Sequence, residues 1–339
     1  MSKVYFIENR SSDFKSLGGD ALRLLKHFVL ETNHQFEKEV PIKVHFGEKG
    51  NKTFVPPVCY DEIIRYLKDM GVEPSYIETN VLYRGSRTTR TKHIETAKEH
   101  GFTQIPIIIA DGEIGTDYVE VEINKEYVDK CRIGKAYGRF KQFIVMSHFK
   151  GHVEAGFGGA IKQLGMGFAA RGGKLAQHSG ISPVVNDSKC TACGTCVDSC
   201  DFGAIECEEV AVIDKDVCVG CAGCIAVCPE GAIRNTWGGS NFKEKLAEYA
   251  FGAAKDKDII YISFIINVTQ DCDCAGKSMK PIADNIGVLL SKDPVALDTA
   301  CLDLVQKEKR IELFEKGRAV LLHAQKIGLG SMDYELVRL

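Results

Sequence analysis

Apolar residues recur along this chain with two periods, one typical of buried strands and one typical of amphipathic helices. Short apolar runs predict strands at 3–7, 43–47, 76–79, 105–110, 143–147, 259–269 and 286–290. Helical spacing predicts helices at 20–30, after a Gly18-Gly19 turn, and at 61–70, 91–100, 241–254 and 318–326. The alternation predicts an α/β fold with a mostly parallel sheet and flanking helices.

Polar clusters follow several of these strands. They occupy 43–51, 82–87 and 111–113, and the second contains Arg84 and Arg87, which suit anion binding. Ligands of parallel sheets bind beyond the carboxyl ends of the strands, so the clusters are candidates for one site. Each cluster is equally compatible with a solvated turn.

Two near-copies of a sixteen-residue stretch, 190–205 and 218–233, interrupt the alternation of predicted strands and helices. Each copy contains the pattern C-x2-C-x2-C-x3-C. In two-cluster ferredoxins the fourth cysteine of each run binds the other cluster. This rule assigns one 4Fe–4S cluster to Cys190, Cys193, Cys196 and Cys228, and the other to Cys218, Cys221, Cys224 and Cys200. Structural zinc is the alternative, but zinc sites use pairs of cysteines. The first run departs from the usual pattern, because its proline is missing and Pro229 occurs in the second run alone.

The predicted domain order is an α/β part over 1–185, an α+β two-cluster ferredoxin-like insertion over 186–235, and a second α/β part over 236–339. The insertion holds nine acidic and three basic residues, a net charge of −6, while the whole chain carries −3. We therefore expect a basic, low-potential redox partner protein. Simple solubility is the alternative explanation for the charge.

Composition narrows the class of protein further. The 339 residues are 45% hydrophobic and 26% charged, which is ordinary for a globular protein, and a net charge of −3 argues against a nucleic-acid partner. No apolar run is long enough to span a membrane, and no signal peptide is evident. Fourteen cysteines indicate a reducing compartment. We expect a cytoplasmic protein of an anaerobic or low-oxygen cell.

The richest candidate for chemistry lies after the strand at 143–147. His148, Lys150 and His152 follow it, and a glycine-rich stretch at 156–167 then contains Lys162. Glycines permit close approach of the backbone to a ligand, and histidines act as acid–base groups or metal ligands. We predict catalytic roles for these four residues. The alternative is that the histidines have their hydrogen bonds satisfied within the folded protein and take no part in chemistry.

A C-x-C turn follows the strand at 259–269. Asp271, Cys272 and Cys274 alternate acid and thiol, a combination that binds metals, and C-x-C is too tight for an unstrained disulfide. If the strands at 143–147 and 259–269 are neighbours, His148 and His152 meet this turn and complete a transition-metal site. An inert thiol pair is the alternative. Further on, Asp293 and Pro294 are typical of a helix start, and Asp298 is a weaker candidate for function.

The chain resembles the family called domain of unknown function 362, in the form that carries an inserted two-cluster ferredoxin. The resemblance rests on the cysteine runs and on 43–51, 82–87, 111–115, 147–152, 156–167, 271–274 and 293–298. A fainter resemblance links His152, Gly158-Gly159, Lys162 and His178 to nickel-pincer lactate racemases, with one extra residue before the lysine. That resemblance implies that Lys162 holds a cofactor and that His178 binds a metal.

Together these features favour an iron–sulfur electron-transfer protein, an oxidoreductase or its electron-delivering subunit, with a cleft served by two 4Fe–4S clusters. A small anionic substrate is expected from the lysines and arginines near the strand ends. The alternative is a metal-binding or redox-sensing assembly protein without turnover. A bound non-cluster metal without reduction of any small molecule would favour the alternative.

Overall fold

The computed structural model describes residues 1–178, 182–236, 239–309 and 311–339. Its strands are β1 (Ser2–Glu8), β2 (Glu39–Lys43), β3 (Glu73–Glu78), β4 (Ile107–Ile109), β5 (Tyr118–Glu122), β6 (Lys130–Gly134), β7 (Gln142–His148), β8 (Lys150–His152), β9 (Gly156–Gly158), β10 (Val184–Val185), β11 (Ile205–Cys207), β12 (Ala211–Ile213), β13 (Ile233–Arg234), β14 (Asp258–Ile265), β15 (Gly287–Ser291) and β16 (Tyr334–Arg338). Its α-helices are α1 (Phe14–Thr32), α2 (Asp61–Asp69), α3 (Arg90–Glu99), α4 (Ala160–Gly165), α5 (Arg171–His178), α6 (Thr195–Asp198), α7 (Gly223–Val227), α8 (Phe242–Ala254), α9 (Pro294–Glu308), α10 (Glu312–Glu315) and α11 (Arg318–Lys326).

In the described ranges, eight strands form one sheet in the order β16-β1-β15-β14-β7-β2-β3-β4. β15 pairs antiparallel with both of its neighbours, and the other adjacent strands pair in parallel. The predicted α/β class with a mostly parallel sheet is therefore confirmed. Because β2, β3, β7 and β14 run in one direction, their carboxyl ends meet at one edge of the sheet, where ligand sites of such folds gather.

The two central strands of the sheet, β7 and β14, are buried on both faces. Their side chains alternate between two hydrophobic cores. Phe143 and Val145 of β7 belong to the core covered by α4, α8, α9 and α11, which contribute leucines such as Leu246. Ile144 and Met146 belong to the opposite core, which α1, α2 and α3 cover. This placement explains why the apolar runs here are continuous, as is usual for parallel sheets with helices on both faces.

Some predicted boundaries are wrong for identifiable reasons. Gly18 and Gly19 do not form a turn but lie within α1, which begins at the N-cap Asp13, whose side chain accepts a hydrogen bond from Lys15 N. A Cβ at Gly18 would lie 3.1 Å from the Cys59 backbone, so close packing explains this glycine.

Two strands are also displaced from their predicted positions. The strand predicted at 43–47 is β2, which already ends at Lys43, and the apolar residues beyond it are buried without pairing as a strand. β14 ends at Ile265, before the predicted 269. The predicted N-cap is confirmed, because Asp293 accepts hydrogen bonds from Val295 N and Ala296 N.

Residues 186–235, here called the cysteine-rich segment, leave and rejoin the rest of the chain at adjacent points. β10 pairs antiparallel with β13, with Val185 opposite Ile233. Inside the segment, β11 pairs with β12, and Ile205, Ala211 and Ile225 form a small core. Leu82 and Leu175, from outside the segment, complete that core. The segment therefore has a core of its own that is closed by two leucines of the α/β body.

No helix within the described ranges combines the length and the hydrophobicity that a membrane span requires.

Deletion of 186–232 tests whether the α/β body folds without the segment. Val185 and Ile233 are paired, so an Asn-Gly turn can join them. We expect a cooperatively folded body, because neither core of the large sheet includes residues of the deleted range. Exposure of Leu82 and Leu175 should lower stability by roughly 2–5 kcal/mol. Circular dichroism and thermal melting measure this, and loss of a cooperative transition would contradict it.

Candidate metal and ligand site

A cavity of about 120 Å³ lies at the carboxyl ends of β2, β3 and β7. Its lining includes the cations Arg87, Lys150, Lys162 and Lys174, the histidines His45, His152 and His178, and the carboxylates Glu78 and Glu154. Cys274 also lines the cavity. The sequence placed several of these residues after strands, and the fold brings them together from segments distant in the chain.

The C-x-C turn at 271–274 faces this cavity. A ring nitrogen of His152 and the sulfurs of Cys272 and Cys274 all lie within 4.8 Å of one another. Lys162 Nζ lies 3.7 Å from Cys272 Sγ. A hydrogen bond from the Cys274 thiol and the charge of Lys162 outweigh burial and lower the pKa of Cys272 well below its usual range. Two sulfurs and an imidazole near one point are a donor set suited to zinc, iron, nickel or copper.

Asp273, between the two cysteines, ties the turn to the end of β7. Its carboxylate lies 2.8 Å from His148 Nδ1 and 3.3 Å from Lys150 Nζ, and all three residues are buried. Burial raises the pKa of Asp273, but the nearby charges of His148 and Lys150 prevail and hold it well below its usual range. Asp273 is therefore ionised and paired inside the protein.

His148 reaches the turn through this carboxylate. Its Nε2 lies 2.6 Å from the Ile266 carbonyl oxygen, so both ring nitrogens already face oxygen acceptors. His148 thus meets the turn as predicted but is not placed to bind a metal there, whereas a catalytic role for His148 stays a prediction.

His152 and His178 occupy different positions around the cavity. Ala155 N–H donates to His152 Nδ1 at 3.0 Å, which leaves Nε2 for the thiols. Burial and the charge of Lys162 lower the pKa of His152 well below its usual range. His178 pairs with Glu154 at 2.9 Å, and its ring stacks on Phe242.

Asp271 pairs with Lys277 at 2.9 Å and is partly exposed. Of the residues predicted to form a metal site, the structure gathers Cys272, Cys274 and His152. Asp271, His148 and His178 lie outside this group.

Asp298 holds the start of α4, the helix that carries Lys162. Its carboxylate oxygens accept hydrogen bonds from Ala160 N at 2.7 Å and from Ile161 N at 2.9 Å, at the start of α4. A Cβ at Gly159 would lie 2.3 Å from Asp298 Oδ1, so only glycine fits this contact. Asp298 therefore has a positioning role that follows from the fold.

Several charged residues near the cavity are buried and paired in ways that the sequence did not predict. Lys43 pairs with Glu78 at 2.9 Å, and burial lowers the pKa of Lys43 to about 8. Lys174 donates to Thr79 Oγ1 and to two carbonyl oxygens, and burial lowers its pKa to about 8 as well. Arg87, grouped with Arg84 as a possible anion binder, is buried and pairs with Glu48 at 3.3 Å. The sequence offered one indication of these buried charges, which is that Lys43 lies inside the apolar run at 40–46.

The cysteine runs line two small cavities of their own. Cys190, Cys193, Cys196 and Cys228 line one of them, together with Cys207. Cys200, Cys218, Cys221 and Cys224 line the other. Each fourth cysteine thus sits with the first three of the other run. Cys207 is half-buried beside the first group.

Helix α5 contributes residues both to the packing around the second cysteine group and to the lining of the larger cavity. A Cβ at Gly172 would lie 2.6 Å from Gly220 O and 3.1 Å from Cys221 Cα, so this end of the helix packs against the cysteine loop. Lys174 and His178 of the same helix line the larger cavity. One helix therefore contacts both regions.

The fold and these sites define an α/β protein with a cysteine-rich segment beside a thiol- and histidine-lined cavity. A family model described as "Domain of unknown function (DUF362)" matches residues 40–303. The chain belongs to this family, as its sequence indicated. No curated protein matches the chain.

Two solved structures show a distant likeness. The lactate racemase apoprotein from Thermoanaerobacterium thermosaccharolyticum is 12% identical, with a TM-score of 0.45, over 91% of this chain and 58% of that one. A structural-genomics target from Thermotoga maritima is 9% identical, with a TM-score of 0.47, over 88% of this chain and 60% of that one. The chain spans less than two thirds of the length of either protein, and scores this low say nothing about function.

Replacing Asp273 tests the anchoring of the turn. Asp273→Asn should lower the free energy of unfolding by about 3–5 kcal/mol, because it leaves the buried Lys150 without its charged partner and weakens the contact with His148. Urea unfolding at neutral pH measures the loss. Asp271→Asn is the matched control, since its more exposed pair with Lys277 should contribute less than about 1 kcal/mol. Equal effects of the two substitutions would contradict the anchoring role.

The stability difference between the wild type and Asp273→Asn should also depend on pH. A carboxylate with a depressed folded pKa contributes stability above its unfolded pKa of about 4, and loses it as pH falls further. The difference between the wild type and Asp273→Asn should therefore narrow below pH 4, by up to about 1.4 kcal/mol per pH unit. A difference that stays constant down to pH 2.5 would argue against an ionised Asp273.

Proposed function

We propose that this chain is an iron–sulfur redox protein in which the cysteine-rich segment holds two 4Fe–4S clusters beside a cavity that binds a small anion. Such clusters supply one-electron chemistry at low potential when bound. The observation that carries the proposal is the grouping of the cysteines into two sets of four, crossed between the runs. Zinc sites built from neighbouring pairs would not require that crossing.

The backbone around the cysteines supports this reading. Ala204 N–H donates to Cys200 Sγ, and Ala232 N–H donates to Cys228 Sγ, at the same place in each run. A third amide, Ala211 N–H, donates to Cys190 Sγ. Hydrogen bonds to sulfur are among the features that tune iron–sulfur clusters.

The loops between the cysteines repeat one unusual conformation. Ala192 and Ala222 have φ of 52° and 60°, in the left-handed region that alanine rarely adopts. Gly220 and Gly194, at the corresponding positions of the opposite runs, have φ of 66° and 73°. Strain repeated in both copies points to a shared functional constraint, and such turns direct successive amides into one concavity.

The cavity is the proposed site of binding or reaction. Four cations line it against two carboxylates, a balance that favours an anionic ligand. Lys162 and Lys174 lie on α4 and α5, and the latter helix contacts the second cysteine group. Catalytic roles for His148, Lys150, His152 and Lys162 are part of this proposal.

The cysteine-rich segment is also the proposed docking surface for a redox partner. Its net charge of −6 favours a basic partner protein, and Phe202 and Val212 are exposed on it. A low-oxygen cytoplasm suits a chain with fourteen cysteines.

The second candidate function is metal binding or redox sensing without turnover. The closeness of His152, Cys272 and Cys274 favours it, because these groups form a ligand set apart from the two cysteine runs. If the protein catalyses the reduction of a small anion by a low-potential electron donor, the redox-enzyme proposal is favoured. A stoichiometric metal without any reduction would decide for the alternative.

Metal analysis tests the cluster assignment. Protein purified anaerobically should contain about eight irons and eight sulfides per chain, and its reduced form should show two interacting 4Fe–4S centres by electron paramagnetic resonance. Cys200→Ala should damage the centre held by Cys218, Cys221 and Cys224, and should spare the other. Cys301→Ser, which changes a buried thiol far from both runs in sequence, is the control and should keep all eight irons.

About four irons, or zinc in place of iron, would contradict the two-cluster assignment. Loss of the centre of Cys190, Cys193 and Cys196 in the Cys200 variant would contradict the crossed ligation.

Two arginines of the body allow each cluster to be tested separately. Arg132 donates to Val219 O at 2.6 Å, in the loop between Cys218 and Cys221. The Arg84 guanidinium lies beside Gly231, in the loop after Cys228. Arg132→Gln should lower the midpoint potential of the second cluster, and Arg84→Gln that of the first. The shifts should be on the order of tens of millivolts, because a nearby positive charge stabilises the reduced form. Redox titration followed by electron paramagnetic resonance measures both, and equal shifts of both clusters in either variant would contradict the assignment.

A further inference from the structure

The thiol–histidine group lies at a junction between two spaces. His152 and Cys274 line the inner cavity, and both also line an open groove on the outside, together with Cys272. Tyr83 and Glu154 are shared by the two spaces as well. A ligand passing from solvent to the inner cavity would therefore meet the two sulfurs and the imidazole.

We infer that His152 Nε2, Cys272 Sγ and Cys274 Sγ hold one divalent transition metal ion of the zinc class, with its remaining coordination position open to the cavity. These ligands are distinct from the eight cysteines of the two runs, so the inference goes beyond the proposed iron–sulfur function. Structural zinc sites have four protein ligands, whereas three ligands of the Cys2His type leave a position for water or substrate. The three donor atoms here lie within 4.8 Å of one another.

The turn that carries the thiols is held in place by contacts that do not involve sulfur. Asp273 is anchored to His148 and Lys150. Tyr83 donates its hydroxyl hydrogen to Cys274 O at 3.0 Å, and Ala275 N–H donates to Cys272 O at 2.9 Å. Because Cys272 and Cys274 lie on either side of the anchored Asp273, their sulfurs need little rearrangement to bind one ion. Such pre-organisation increases the affinity for a metal.

The charges indicate which ligand class takes the open position. Two thiolates neutralise a divalent ion, and Lys162 Nζ, 3.7 Å from Cys272 Sγ, then leaves one positive charge beside the metal. A small anion with an oxygen donor, such as a carboxylate, balances that charge. Uptake of the ion releases the thiol protons, because thiolates are the metal ligands. The imidazole binds as the neutral ring, so its proton moves from Nε2 to Nδ1 at the expense of the hydrogen bond from Ala155 N–H.

Zinc is the probe for the experiment. Anaerobically purified protein is incubated with zinc, freed of excess metal with a weak chelator, and analysed for zinc and iron in the same sample. We expect one tightly held zinc per chain. X-ray absorption at the zinc edge should show two sulfur neighbours at about 2.3 Å and a nitrogen at about 2.0–2.1 Å. Iron does not interfere, because the edge is specific to the element.

Substitutions separate this ligand set from its neighbours. Cys272→Ser, Cys274→Ser and His152→Gln should each weaken zinc binding at least tenfold, with the iron content unchanged. His178→Gln and Asp271→Asn are the matched controls and should keep wild-type affinity, since neither residue belongs to the group. Circular dichroism checks folding, and half-buried Cys274 gives a readout if Cys272→Ser does not fold.

Three outcomes would overturn the inference. They are no retained zinc in the wild type, unchanged affinity in the cysteine variants, and a zinc ion with four sulfur neighbours accompanied by a matching loss of iron. Eight irons without zinc would contradict this site alone, and one zinc without iron would contradict the iron–sulfur proposal alone.

Discussion

The buried pairing of Asp273 with His148 and Lys150 is the interaction on which the site geometry depends. It joins the end of β7 to the turn that follows β14, and these are neighbouring parallel strands with His148 opposite Phe264. Burying such charges is costly, and the cost is offset only while the pair is complete. The same residue that pairs with His148 and Lys150 lies between Cys272 and Cys274, so the position of both thiols follows from the sheet.

The rest of the cavity is built around that fixed turn by contacts at close range. Asp298 and Gly159 hold the start of α4, which brings Lys162 to Cys272. Gly172 lets α5 approach the cysteine-rich segment, and Leu82 and Leu175 enter the core of that segment. The thiol site, the cavity and the cysteine runs thus share supporting elements.

Sequence patterns predicted the parts of the fold that depend on local physics. Continuous apolar runs located β7 and β14, and the Asp293 cap located the start of α9, because each signal lies within a few residues. The crossed grouping of the cysteines followed from a spacing rule. The predicted turn at Gly18 was wrong, because this glycine is needed for close packing of α1 against Cys59. That contact joins distant segments and leaves no local signal in the sequence.

The details of the site depend on such long-range contacts. His148 and His152 look equivalent in sequence, yet Asp273 and Ile266 satisfy the first, whereas Ala155 orients the second toward the thiols. Nothing local distinguishes them. The pairing of Lys43 with Glu78 and the reversed direction of β15 likewise arise only when the sheet assembles.

Anomalous diffraction from crystals grown without oxygen tests the account most directly. Data collected at the iron edge should show two compact iron centres, one among Cys190, Cys193, Cys196 and Cys228 and the other among Cys200, Cys218, Cys221 and Cys224. Each centre should refine as four irons. Single metal atoms at either place, or disulfides between the cysteines of a run, would contradict the account.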